Sequence, residues 1–143
     1  MASFSLGRRS LLTMTLLALL PFSDAGAQER ERLNQVNPRA EFSSVSRAYP
    51  SMDARYVRIG TRRSIAQVRR IAVGQSQRDL QAALGRPAIS HGDGSAEFHL
   101  ALPLTRRERL ICQYRVYFDG NGNVDHAVWR RPQCAALVLG QSN

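Results

Sequence analysis

Lysine is absent from this chain. All of its basic residues are arginine, 20 against 11 Asp and Glu, for a formal net charge of +9. Guanidinium groups grip phosphates and carboxylates bidentately, so such a surface favours anionic partners. Long hydrophobic runs are also lacking. The apolar stretch Leu11 to Phe22 covers about a dozen residues, whereas a bilayer-spanning helix needs about 20. Cysteine occurs only at 112 and 134. Neither has a partner at zinc-ligand spacing, which argues against a structural zinc. No cysteine follows the apolar stretch, so the lipoprotein cleavage pattern is missing and no lipid anchor is expected. No internal repeat is visible.

What the N-terminus does contain is an export signal. Arg8 and Arg9 form a basic n-region, Leu11 to Phe22 an apolar h-region, and Ala25-Gly26-Ala27 a small-x-small cleavage site. The run from Arg8 to Leu12 also loosely resembles a twin-arginine signal. Cleavage near Ala27/Gln28 is expected to leave a non-lipidated periplasmic protein with no membrane span. An exported chain rarely meets DNA, so no nucleic-acid partner is expected despite the charge. In an oxidising compartment an even cysteine count favours a disulfide, and Cys112–Cys134 is the one intramolecular pairing available.

Three divisions follow: a signal peptide over 1–27, a lead-in over 28–54 and a single domain over 55–143. The lead-in has little periodicity and few large apolar groups, so it is expected to be loosely packed. Ile65, Val68 and Ile71 recur at helical spacing, which predicts a first short helix ending at Gly74. Ser76 with Asp79 three residues on predicts the N-cap of a second helix, whose apolar face is Leu80, Ala83 and Leu84. Gly85 and Pro87 end it. Phe98, Leu100, Leu102 and Leu104 alternate with His99 and Ala101 as a half-buried strand. Cys112, Tyr114, Val116 and Phe118 share one face of a second strand. Gly120-Asn121-Gly122-Asn123 marks a hairpin, and Val124 to Arg130 returns as a third strand that Pro132 ends. The preferred register sets Tyr114 against Trp129, Val116 against Ala127 and Asp119 against Val124. The expected fold is α+β: two short helices on one face of a three-stranded antiparallel meander.

Three motifs carry a family resemblance: Ile71-Ala72-Val73-Gly74-Gln75-Ser76, Leu84-Gly85-Arg86-Pro87, and Val116-Tyr117-Phe118-Asp119 before a Gly/Asn turn. With them, the stretch from about Arg58 to Cys134 resembles the SmpA/OmlA domain, the BamE-like fold of a small lipoprotein in the β-barrel assembly machinery. The segments around Cys112 and from Val128 to Cys134 resemble the variant with paired cysteines that precedes OmpA-type domains. The resemblance implies a non-enzymatic envelope module that binds a protein partner and is linked to outer-membrane assembly. The chain departs from that pattern in having no anchor cysteine, no OmpA-type domain after Cys134, and Phe98 where the family often has Trp.

Little else suggests chemistry. Asp119 to Asp125 resembles the start of a calcium loop, but Val124 and Arg130 stand where an EF-hand needs Gly and Glu, so a hairpin turn is expected. His91, His99 and His126 are scattered in sequence; His99 and His126 read as surface imidazoles on strands, and His91 with Asp93 as part of a Gly-rich loop, with a ligand site as the lesser alternative. Ser76 has no base beside it and reads as a cap. No catalytic constellation, cofactor or metal is expected. The candidate binding residues are Arg62, Arg69 and Arg70, placed on the solvent side of the first helix, with Arg106 and Arg107 in the charged turn. An alternative to the protein partner is an anionic envelope ligand such as peptidoglycan or lipopolysaccharide phosphate.

Overall fold

The computed structural model describes residues 24–43 and 60–141. The expected signal peptide up to position 23, and the 44–54 part of the lead-in, lie outside them. The elements in order are α1 (Ala25–Leu33), β1 (Gln35–Val36), β2 (Thr61–Arg62), α2 (Ile65–Arg69), α3 (Gln77–Leu84), β3 (Ile89–Ser90), β4 (Ala96–Pro103), β5 (Arg109–Phe118), β6 (Val124–Trp129) and α4 (Pro132–Leu139). No helix among the described residues is long and apolar enough to cross a membrane.

Local chemistry explains the two central helices. Ser64 accepts from the Gln67 amide while Gln67 reaches back to the Ser64 amide, a reciprocal capping box that starts α2. Ser76 caps α3 by accepting from the Asp79 amide. Gly85 ends α3 at φ +88° and ψ −171°, a conformation open to glycine but costly for other residues.

The expected three-stranded meander with two helices is corrected. The sheet has six strands in the order β1-β6-β5-β4-β2, with β3 also on β4, and the described residues form four helices. β1 runs parallel to β6 and β2 parallel to β4, so the sheet is mixed. Each added strand is two residues long, too short for alternation to show. α1 is polar along almost its whole length and buries only Leu33, so it has no apolar stripe to read. α4 begins at Pro132, the residue read as a strand terminator; proline is equally suited to the first turn of a helix.

β4, β5 and β6 pair antiparallel. Tyr114 lies opposite Trp129 and Val116 opposite Ala127. Beyond Tyr117↔His126 a bulge at Asp125 shifts the register, so Val124 faces Phe118 and not Asp119. One face of these strands carries Phe98, Leu100, Leu102, Cys112, Tyr114, Val116 and Trp129. It forms a single apolar cluster with Leu33, Val68, Leu80, Leu84, Ala135 and Val138 from the helices and with Ile71, which follows α2 because that helix ends at Arg69, short of the expected Gly74. Tyr114 and Trp129 stack with ring centroids 4.0 Å apart. Their polar ends are satisfied by α1: Tyr114 Oη donates to the Leu33 carbonyl and Trp129 Nε1 to Asn34 Oδ1. Burial pushes the Tyr114 hydroxyl pKa up.

Cys112 and Cys134 are joined in a disulfide, with Cα atoms 5.9 Å apart. It ties the start of α4 to the middle of the sheet and closes a 22-residue separation. In the chain-entropy account such a closure contributes about 3 kcal/mol.

Candidate functional site

Three places in the described residues gather polar or charged side chains: the face of the sheet away from the helices, the Pro103 end of β4, and a groove beside α1.

The far face of the sheet is buried, although its side chains are polar. Glu97, Gln113, Arg115 and Ser95 are all at most 4% exposed. They are covered in part by Glu41–Ser43. Glu97 Oε1 accepts from Ser43 Oγ at 2.8 Å and Gln113 Nε2 at 2.9 Å, and Oε2 from the Ser43 amide at 3.0 Å. His91 Nε2 and His99 Nε2 each lie 2.8 Å from one of its oxygens. Burial alone raises the carboxyl pKa. The bonds from His99, Ser43 and Gln113 outweigh it and hold the group well below the usual carboxylate range. Arg115 spends all three guanidinium nitrogens here: Nε on Ser95 Oγ, one terminal nitrogen on Asp93 Oδ2, and the other on the Glu41 carbonyl. Asp93, hydrogen-bonded first by Ser95 and paired with Arg115, is lowered to about 2. Arg115 also lies over the Tyr117 ring, which stacks on His126. Every donor and acceptor named here is matched within the protein, so the network acts as a clamp on the 41–43 segment.

The predicted arginines separate into two groups. Arg62 is on edge strand β2, not on a helix as expected, because α2 starts only at Ile65. β2 pairs with β4 at Thr61↔Leu100 and Arg62↔Ala101. The pairing needs Gly60: a Cβ there would sit 2.8 Å from the Ala101 nitrogen. Arg109 starts β5 opposite Pro103 and donates to the Ala101 carbonyl at 3.1 Å. The Arg63 amide donates to the same carbonyl. Arg62, Arg63 and Arg109, with Ser64, Gln67 and Pro103, line a cleft of about 190 Å³. Arg106 and Arg107 stand exposed in the adjoining turn.

Arg69 and Arg70 lie elsewhere. They line a groove of about 290 Å³ between α1, α2 and α4, with Leu33, Val68, Ile71 and Tyr114. Arg69 Nε is already used, donating to the Val138 carbonyl at 2.6 Å. The structure therefore brings Arg62, Arg106 and Arg107 to one end of the sheet and does not join Arg69 and Arg70 to them.

The other candidates have structural partners. Asp119 Oδ1 accepts from the amides of Asn121 and Asn123, which closes the hairpin turn. His126 bonds Asp125, which also pairs with Arg32 of α1; His126 first and Arg32 after it hold Asp125 low. No group of three or more His, Cys, Asp and Glu among the described residues is placed to hold a metal ion. His99 is not the surface imidazole expected of it, because the 41–43 segment lies against that face.

Sequence reasoning missed Glu97, Gln113 and Arg115, and noted Arg109 without placing it in the site. The first three were readable as the outward set of the alternating strands. That they are buried depends on a covering segment with no pattern of its own. Arg109 was visible only as part of a charged turn.

No protein-family model matches the chain, and no curated protein matches it.

Proposed function

We propose that this protein is an exported, non-enzymatic module of the cell envelope that docks a protein partner, in keeping with the SmpA/OmlA resemblance. The observation that carries the reading is the division of its charged groups. The buried carboxylate and its histidines are spent on holding the chain together, while guanidinium groups at the Pro103 end of the sheet face solvent. A general acid or base needs a reacting atom within hydrogen-bond reach, and Glu97 has both oxygens engaged by protein donors.

Two features support export. The Cys112–Cys134 disulfide suits an oxidising compartment. The side-chain contacts that tie α1 to the rest of the domain come after the expected cleavage point: Glu29 accepts from the Val73 amide, Arg32 pairs with Asp125, and Leu33 enters the core. Ala25, Gly26 and Ala27 are exposed, so their removal costs little packing.

The alternative, an anionic envelope ligand, draws on the same arginines and differs in its salt response. A ligand held mainly by charge loses affinity steeply once the Debye length falls below about 8 Å. The test is fractionation of cells making the full chain, N-terminal sequencing, and chemical cross-linking in the intact envelope. A mature N-terminus at or near Gln28 in the periplasmic fraction, with a discrete protein adduct that survives moderate salt, is the expected result. Retained Met1 or Ala2, or no protein adduct at any salt, contradicts the proposal.

A further inference from the structure

The geometry points to the Pro103 end of β4 as the docking surface, and to an acidic polypeptide segment carrying an apolar residue as the partner chemistry it fits. This rests on the protein-docking reading above and adds to it the place and the chemistry.

Three observations converge there. First, the cleft walled by Arg62, Arg63 and Arg109 carries no carboxylate among its described lining residues. Glu108, the acid in the neighbouring turn, is not on its walls. None of the three arginines pairs with a carboxylate among the described residues. Second, Arg63 Nε is buried with no hydrogen-bond partner among the described residues. One terminal nitrogen of Arg63 donates to the Arg62 carbonyl, and the other packs where a Cβ on Gly85 would be 3.0 Å away. The guanidinium is thus held in place at the cleft wall. Third, Leu104 beside the cleft is 50% exposed. Val36, the other exposed large apolar side chain among the described residues, is on β1 at the opposite edge of the sheet.

The arginine walls of the cleft suit a carboxylate in a bidentate guanidinium grip. Leu104 and Pro103 offer an apolar contact next to it, and Arg106 and Arg107 extend the positive field along an incoming chain. Charged contacts around an apolar anchor are the composition of a protein interface. A bilayer takes a continuous apolar face, and a lone leucine does not supply one. Strand addition is less suited, because both sheet edges end in two-residue strands.

The test uses the full mature chain and a fluorescently labelled peptide of alternating Glu and Leu. Anisotropy titrations are run for wild type, for Arg62→Gln/Arg109→Gln and for the control Arg39→Gln/Arg78→Gln, whose side chains lie away from the cleft. A loss of about tenfold or more in affinity for the cleft variant, against less than about twofold for the control, is expected. Equal losses in both variants, or no binding, overturn the assignment. Inorganic phosphate, and vesicles of phosphatidylcholine and phosphatidylglycerol at three to one, are titrated in parallel. Tighter binding to either overturns the choice of a polypeptide. A photo-cross-linker at position 104 in envelope extract separates the two readings. A protein adduct lost in the cleft variant supports the inference. An adduct that persists there overturns the inference and leaves protein docking standing. No adduct from position 104 or from a second cross-linker at Gln141 overturns both.

Discussion

The two faces of the β4–β5–β6 sheet are both buried, by opposite chemistry. Toward the helices, Phe98, Leu100, Tyr114 and Trp129 fill an apolar cluster closed by the disulfide. Toward the 41–43 segment, Glu97, Gln113 and Arg115 are as fully covered, but by matched hydrogen bonds. The apolar face draws its stability from area removed from water, which is non-directional. The polar face gains little net energy and loses much if one partner is deleted. The first tolerates resizing better than polarity; the second is intolerant of a missing partner.

Truncating each face once separates the two chemistries. Trp129→Ala removes the largest fully buried side chain and is expected to lower unfolding free energy by about 4 kcal/mol. Glu97→Ala leaves the donors of Gln113, His91 and His99 facing an empty site, and about 3 kcal/mol is expected. Urea denaturation followed by tryptophan fluorescence reads the second, and far-ultraviolet circular dichroism both. If Glu97→Ala is neutral, the polar face is not a clamp.

Replacing Cys112 and Cys134 together by alanine is expected to cost about 2–3 kcal/mol, read the same way. Thiol alkylation of unreduced, denatured wild type should modify neither cysteine.

Acid sharpens the contrast, because only the polar face titrates. Glu97 and Asp93 both have folded pKa values below their ordinary ones. Their contribution is complete above the unfolded carboxyl value of about 4 and is lost as pH falls toward the folded values. The melting temperature should therefore drop from about pH 5 down to about pH 2. Glu97→Gln should begin lower at neutral pH and fall less steeply. An equal acid slope in both proteins would remove Glu97 from the account.

The sequence made the apolar face legible and left the polar one hidden. Alternation located β4, β5 and β6, and the Ser76–Asp79 pair located the start of α3. The same alternation put Glu97, His99, Gln113 and Arg115 on the outward face but could not show that residues 41–43 cover it, since covering is a non-local event. α1 escaped because it is held by side-chain bonds at Glu29 and Arg32 and by Leu33 alone. The sheet end bearing Arg62 escaped because a two-residue parallel pairing leaves no period to detect. Arg106 and Arg107 were legible as a basic turn; that Arg109 and Arg63 meet beside them required the fold.

The smallest stability effect is expected at the arginines themselves. Arg62→Gln/Arg109→Gln removes exposed charge and one bond to a carbonyl, so stability should change by about 0.5 kcal/mol or less.

Stability and docking are separable in two variants. Thermal melts and cross-linking yields from position 104 are recorded for Arg62→Gln/Arg109→Gln and for Glu97→Gln. The arginine variant should melt within about 3 °C of wild type and lose its adduct, while Glu97→Gln melts lower and keeps it. An arginine variant that melts far below wild type, together with a Glu97→Gln protein that loses its adduct, would contradict the separation of a structural polar face from a docking sheet end.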